Sequence, residues 1–202
     1  MRHARLPSAV LLAAVLIAAV VAPPGCKRQG ASAPIGEAQQ KGEPSMPMTI
    51  TSAAFRDGAP IPARYTGDGA NLSPPLAWSG LPLRTVELAL VCDDPDAPRA
   101  EPWVHWVIYK LPAATPGLPE GIGDDENLSS PAGAMQGVTT SGSVGYRGPA
   151  PPSGHGTHHY RFHLYALDAA LPLQPRLAKE RLLEAVRGHV LAEAELVGTY
   201  QR

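Results

Sequence analysis

The chain has 202 residues, a formal net charge of −1 and an aromatic content of 5%, so it lacks both the basic face and the stacking rings that a nucleic-acid partner needs. That length suits one core with an appendage better than two domains. The 23 prolines and 20 glycines are scattered between short apolar runs, without an internal repeat, which favours turns between strands over long helices.

Residues 1–26 stand apart. Arg2 and Arg5 precede an unbroken apolar run, Ala9 to Ala22, and Pro23-Pro24-Gly25-Cys26 follows. This is the charged, apolar and small-residue order of a secretory signal, and the run is short for a membrane span. An uncleaved anchor helix is the alternative. Cys26 stands where a bacterial lipoprotein is cleaved and acylated, although Pro23 and Pro24 depart from the usual residues before that site. The only other thiol is Cys92, which ends an apolar strand pattern and is expected to stay reduced as a small hydrophobe. The expectation is an exported protein of the bacterial cell envelope or periplasm that meets a membrane only through a lipid anchor on Cys26. Residues 27–47 hold almost no large apolar side chain and read as a flexible tether.

Residues 48–202 carry the folded domain. Thr85 to Cys92 and Val104 to Tyr109 are β-branched and aromatic runs of strand length, bounded by Pro and Gly. A long stretch from Ala113 to Gly156 has little periodicity and is rich in Gly, Pro and Ser. His159 to Leu167 alternates, placing Tyr160, Phe162 and Leu164 on one face. These three runs are expected to be neighbouring central strands. Pro175 suits the start of a helix over about Arg176 to Arg187, with Leu177, Leu182, Leu183 and Val186 as its apolar stripe and Gly188 as its stop. A last strand over about Val190 to Tyr200 completes a mainly β fold, an antiparallel β-sandwich with a helix near the C-terminus.

Asp93-Asp94-Pro95-Asp96-Ala97-Pro98 follows the first central strand directly, and alternation puts Asp94 on the side of Leu90 and Cys92. A carboxylate at the end of an apolar face needs a partner, although Asp and Pro also make ordinary turns. His105 lies between Trp103 and Trp106, where a satisfied core histidine is the bland reading. His158 and Tyr160 share a face and an end of the sheet. Before them, Gly148 to Gly156 (GPAPPSGHG) has few bulky side chains, which lets a ligand approach its peptide N–H groups. Two imidazoles, a phenol and loop amides would offer donors to an oxyanion. Carboxylates there would repel it unless each is tied to an imidazole, so a phosphate-like ligand is expected to bind best with both rings protonated.

DDPDAP with WVHW, the segment GYRGPAPPSGHGTHHY, DGANLSPPLAW (Asp68 to Trp78) and the ending GHVLAEAELVGTY together resemble the phosphatidylethanolamine-binding protein (PEBP) family, in its bacterial Raf-kinase-inhibitor-like branch. The resemblance runs from about Met48 to Tyr200 and implies antiparallel sheets with an anion pocket at one end. Matched by position, it implies pocket residues Asp94, Asp96, His105, Gly148, His158 and Tyr160, and a cis peptide before Pro98. Relatives often carry Cys where this chain has Gly67 and Ala150, Asn and an aromatic residue within Gly137 to Gly145, and Arg in place of His159. A more open or more polar mouth is the expectation.

The first functional reading is a binding module for a small anionic ligand, whether phosphate-like, a phospholipid head group or a carboxylate, with no cofactor and no resident metal. A protein partner, as the family name implies, stays open beside it. The second reading is an enzyme using the same pocket. His155, His158, His159 and His105 with Asp94 offer a two-His-one-carboxylate metal set, but on a loop entering a strand rather than at helical spacing. Ser153, or Ser141 in SGSVG, would be the nucleophile of a hydrolase without the nucleophile-elbow pattern.

Overall fold

The apolar runs pair into two antiparallel sheets. The structure is a computed structural model and describes residues 46–202; the expected leader, Cys26 and the tether as far as residue 45 lie outside the described residues. One sheet has the order β1 (Thr49–Ser52), β2 (Leu76–Ser79), β5 (Gly117–Leu118). The other runs β6 (Met135–Gln136), β4 (Trp103–Pro112), β3 (Glu87–Asp94), β7 (His158–Leu167), β8 (Val190–Tyr200). The three strands legible in the sequence are therefore the neighbours expected, with β3 between β4 and β7.

Both faces of the larger sheet are covered, which is why β3 and β4 read as continuous apolar runs instead of alternating ones. Leu88, Leu90 and Cys92 of β3, with Trp106, Ile108, Phe162 and Leu164, face the smaller sheet and pack against Ile50, Leu76 and Trp78. Ala89 and Val91, with Val107, Tyr109 and Leu167, face outward and lie under Leu182 and Val186 of helix α1 (Lys179–Val186). Burying those two helix side chains stabilises the docking by about 1.5–3 kcal/mol each. Cys92 is a free, buried thiol whose pKa burial pushes up, as expected of a cysteine that packs as a hydrophobe.

The helix is shorter than its apolar stripe suggests. Arg176 adopts a left-handed backbone (φ 67°), and its N–H donates to the Gln136 carbonyl, while Leu177 accepts from the Val138 N–H. These residues thus extend the edge beyond β6, and the helical ladder opens only where the Ala178 carbonyl accepts from Leu182. Gly188 (φ 85°) follows the C-terminus in the left-handed conformation that stops helices. The long stretch after β4 is tied down by one buried amide: Gln136 accepts from the Trp106 indole at 2.7 Å and donates to the Gly123 and Asp125 carbonyls at 2.7 and 2.8 Å. Among the described residues no helix is long and apolar enough to cross a membrane.

Candidate functional site

The C-terminal end of β3, the start of β7 and the start of β4 meet at one end of the large sheet. Two loops, 66–71 and 147–152, close around that end, leaving a cavity of about 700 Å³. Asp94, His105, Gly148, His158 and Tyr160 all line it. Five of the six pocket residues expected from the sequence are therefore brought together.

Asp94 is 3% exposed, and its carboxylate is fully engaged. Oδ2 accepts from His158 Nδ1 at 2.7 Å, and Oδ1 accepts from the Asp96 N–H at 2.8 Å. The second bond turns the chain at DDPDAP, and the Arg99 N–H closes the turn onto the Ala97 carbonyl at 2.7 Å. With the corner made in this way, the cis peptide implied before Pro98 is not present; among the described residues the cis bond is Ser130–Pro131.

His158 is 1% exposed and has both ring nitrogens occupied, with Nε2 lying 2.7 Å from His155 Nδ1. His105 Nδ1 lies 2.5 Å from the Arg147 carbonyl, which only accepts, so the neutral ring carries its lone pair on Nε2. Burial lowers the His105 pKa, and neither that carbonyl nor the charge of Asp94 reverses the shift. The expectation of a cationic His105 is thus corrected near neutral pH: a ring this buried favours the uncharged form.

Tyr160 stands edge-on to His105, with ring centroids 5.0 Å apart and an interplanar angle of 78°. It is 1% exposed, and its hydroxyl is the one buried side-chain polar atom among the described residues without a hydrogen-bond partner. Burial first, and then the charge of Asp94, raise its pKa far above the ordinary phenol value, so the oxygen keeps its proton. An orphaned donor of this kind costs about 1–3 kcal/mol when nothing meets it.

Asp96 is placed differently. It is exposed on the outside of the turn and accepts from the His159 N–H at 2.8 Å and from His159 Nδ1 at 2.7 Å. Burial works against its charge, but the His159 bonds outweigh it and hold the carboxyl below its ordinary value. His159, where relatives often carry Arg, thus still serves as the partner of this carboxylate. Both acids are tied to imidazoles, as the charge argument required, yet only Asp94 reaches the cavity wall.

Gly148 lines the cavity for a reason other than ligand approach. Its N–H is already taken by Asn71 Oδ1 at 2.7 Å, and a Cβ here would come within 2.5 Å of the Tyr65 carbonyl oxygen. Glycine is needed so that two backbones can cross. Gly67 and Ala150 face each other across the mouth, a Cβ on Gly67 lying 3.0 Å from that of Ala150. Thr139, Ser141 and Ser143 join their hydroxyls in a triangle of 2.9, 2.9 and 3.0 Å, and Ser141 lines the cavity, so the mouth is polar there. The Ser141 hydroxyl is paired with the hydroxyls of Thr139 and Ser143 and not with an imidazole.

Three lining residues escaped the sequence reading. Asn71 holds a left-handed backbone (φ 56°) and orders the Gly148 loop. Arg147 reaches Asp124 at 3.0 Å and the Tyr146 carbonyl at 2.7 Å. Arg99 lays its guanidinium 5.4 Å from the centre of the Trp103 ring. Asn71 and Arg147 sit inside the motifs DGANLSPPLAW and GYRGPAPP, so the motifs were the available signal; nothing local marked Arg99. Beyond the cavity, Arg202 forks onto Asp68 at 2.8 and 2.5 Å and ties the two loops together at the rim. Among the described residues no three His, Cys, Asp or Glu side chains converge as metal ligands. The two-His-one-carboxylate set is not assembled, because Asp94 is spent on His158 Nδ1, His159 on Asp96 and His105 Nδ1 on a carbonyl.

A two-sheet β fold with this cavity at the strand ends defines a class of small-ligand binding proteins. The family model for phosphatidylethanolamine-binding protein matches residues 51–201, and the chain belongs to that family. It is 52% identical over 155 residues to a UPF0098 protein of Methanothermobacter thermautotrophicus, covering 77% of this chain and 99% of the relative. A solved PEBP homologue from Chlamydia trachomatis superposes with a TM-score of 0.70 at 41% identity, covering 77% of this chain and 98% of the other. E. coli YbcL, a member of the mammalian PEBP family, superposes with a TM-score of 0.72 at 31% identity, covering 78% and 99%.

Proposed function

We propose that this PEBP-family chain is an exported ligand-binding protein whose cavity takes a small anion with a phosphate-like group, whether free or as a phospholipid head group. The Tyr160 hydroxyl carries the reading: it is a buried donor without a partner, on a residue that lines a cavity large enough for a ligand. Arg99 supplies positive charge on the same wall, where Arg147 stands paired with Asp124, and the negative charge of Asp94 is held by His158. Neutral His105 adds an acceptor on Nε2, which suits a ligand oxygen that still carries a proton. In this reading residues 1–26 direct export and Cys26 is the acylated anchor residue. A Cys26→Ser variant is then expected to leave the membrane fraction, and full retention there speaks against the anchor.

The test is thermal unfolding of the full chain in the presence of inorganic phosphate, a phosphorylated alcohol and acetate, since a ligand that binds the folded state raises Tm by mass action. Phosphate and the phosphorylated alcohol are expected to raise Tm more than acetate. Tyr160→Phe is expected to weaken that binding by about tenfold or more. No Tm response to any of the three anions, or an identical response in Tyr160→Phe, sinks the proposal.

A further inference from the structure

Beside the cavity the imidazoles of His155 and His158 face each other nitrogen to nitrogen. We propose that His155 and His158 form a binding site for a divalent transition-metal ion of the zinc, nickel or copper class, with Asp94 orienting His158 from behind. Water would complete the coordination on the side open to the cavity and solvent.

The first support is the tautomer of His158. Asp94 Oδ2 accepts from Nδ1 at 2.7 Å, which leaves the lone pair of the neutral ring on Nε2. A histidine that donates one nitrogen to a carboxylate while presenting the other is the arrangement found behind metal-ligating imidazoles, where it fixes the ring and raises its basicity. The carboxylate is itself held in place by the Asp96 N–H. Imidazole pairs suit zinc, copper and nickel rather than the hard, oxygen-seeking cations.

The second support is geometric. His155 Nδ1 lies 2.7 Å from His158 Nε2, so one hydrogen bond now occupies the place of the ion. Metal–nitrogen bonds of about 2.0–2.1 Å put two ligand nitrogens roughly 2.9 Å apart at a right angle and roughly 3.3 Å apart at a tetrahedral one. Opening the contact by a few tenths of an ångström is enough. His155 is the ring that can move, because it is exposed and sits between Gly154 (φ 77°) and Gly156 (φ 93°), neither of which has a packed neighbour within 4 Å of an added Cβ. His158 stays fixed in the sheet.

The protons balance without an outside reagent. With both rings neutral, the proton in the contact belongs to His155 Nδ1, since His158 Nε2 accepts. On metal binding that proton leaves for solvent and the exposed Nε2 of His155 takes one up, so both rings stay neutral and each gives one lone pair to the ion.

The experiment uses the full chain, stripped with a chelator and kept in a buffer free of phosphate and carboxylates, so that its result is independent of the anion reading. Zinc and nickel are titrated calorimetrically, and copper is followed by electron paramagnetic resonance. One saturable site per chain in the micromolar range is expected, with a copper spectrum split by two imidazole nitrogens. His155→Ala replaces an exposed loop residue and is expected to leave unfolding in chelator unchanged while weakening the metal at least tenfold, about what loss of a supporting partner does and less than complete loss of ligation. Asp94→Asn is expected to weaken it by about 10–100-fold through the orientation of His158. Metal affinity unchanged in His155→Ala, or saturation of the unaltered chain only at millimolar metal, overturns the site.

Discussion

Asp93 and Asp94 are neighbours on β3, both less than 5% exposed, and they do different work because a strand turns alternate side chains to opposite faces. Asp93 points under helix α1, where Lys179 meets its Oδ2 in a short ion pair and His163 lies 3.8 Å from Oδ1. Asp94 points to the cavity, where it is held by His158, itself in contact with His155. The outer carboxylate faces an ammonium from the first turn of the helix and is a fastening. The inner one faces a ring with a second nitrogen, and so it can pass its influence to whatever meets that nitrogen. The same residue type at the same strand end becomes structural or functional according to the chemistry opposite it.

The contrast is sharpest in what each side loses when a partner is removed. Lys179→Met leaves Asp93 buried without its main counter-charge and should cost about 3 kcal/mol in urea unfolding, the lower end for breaking a buried pair, since Lys179 is partly exposed. The anion response of the cavity should persist in that variant. If Lys179→Met abolishes binding while the fold survives, the two faces are not separable and the comparison breaks.

On the cavity side the sign reverses. Tyr160→Phe removes a buried hydroxyl that no group meets, so in the absence of ligand it should gain about 1 kcal/mol in the same measurement even as binding weakens. A loss of stability there would mean that the hydroxyl is satisfied within the folded chain. The smallest effect is the pH dependence of His105. Its pKa is lowered in the folded state, so the unfolded chain takes up a proton first as pH falls through the ordinary imidazole value of about 6.5. Stability should therefore decline as pH drops below that value and level off once the folded ring also protonates. His105→Gln should show a shallower decline over the same range, and an equal slope in both proteins would place the lowered pKa elsewhere.

The motifs and periodicities were enough to read much of this molecule. Alternation in His159 to Leu167 placed Tyr160, Phe162 and Leu164 inside, and the final strand runs over Val190–Tyr200 as expected. The helix start was misplaced because Pro175 and Leu177 look helical locally, while the backbones of Arg176 and Leu177 bond to Gln136 and Val138 along the β6 edge. Asp96 matched a motif yet sits outside the cavity, since a turn reversed its direction two residues after Asp94.

What the sequence by itself determined is the four long strands of the larger sheet, the faces on which their side chains lie, and the family signature that unites four separated motifs; the three short strands of the smaller sheet and β6 carried no such pattern. These follow from neighbours in the chain, where period-2 alternation and turn chemistry act. Only the tertiary structure decided the partners: Asp94 with His158 across 64 positions, His105 with the Arg147 carbonyl across 42, and Tyr160 with no partner. Those pairings depend on the register of strands far apart in the chain and on loops that close over their ends, and no local pattern encodes a distance between side chains that the ladder alone brings together.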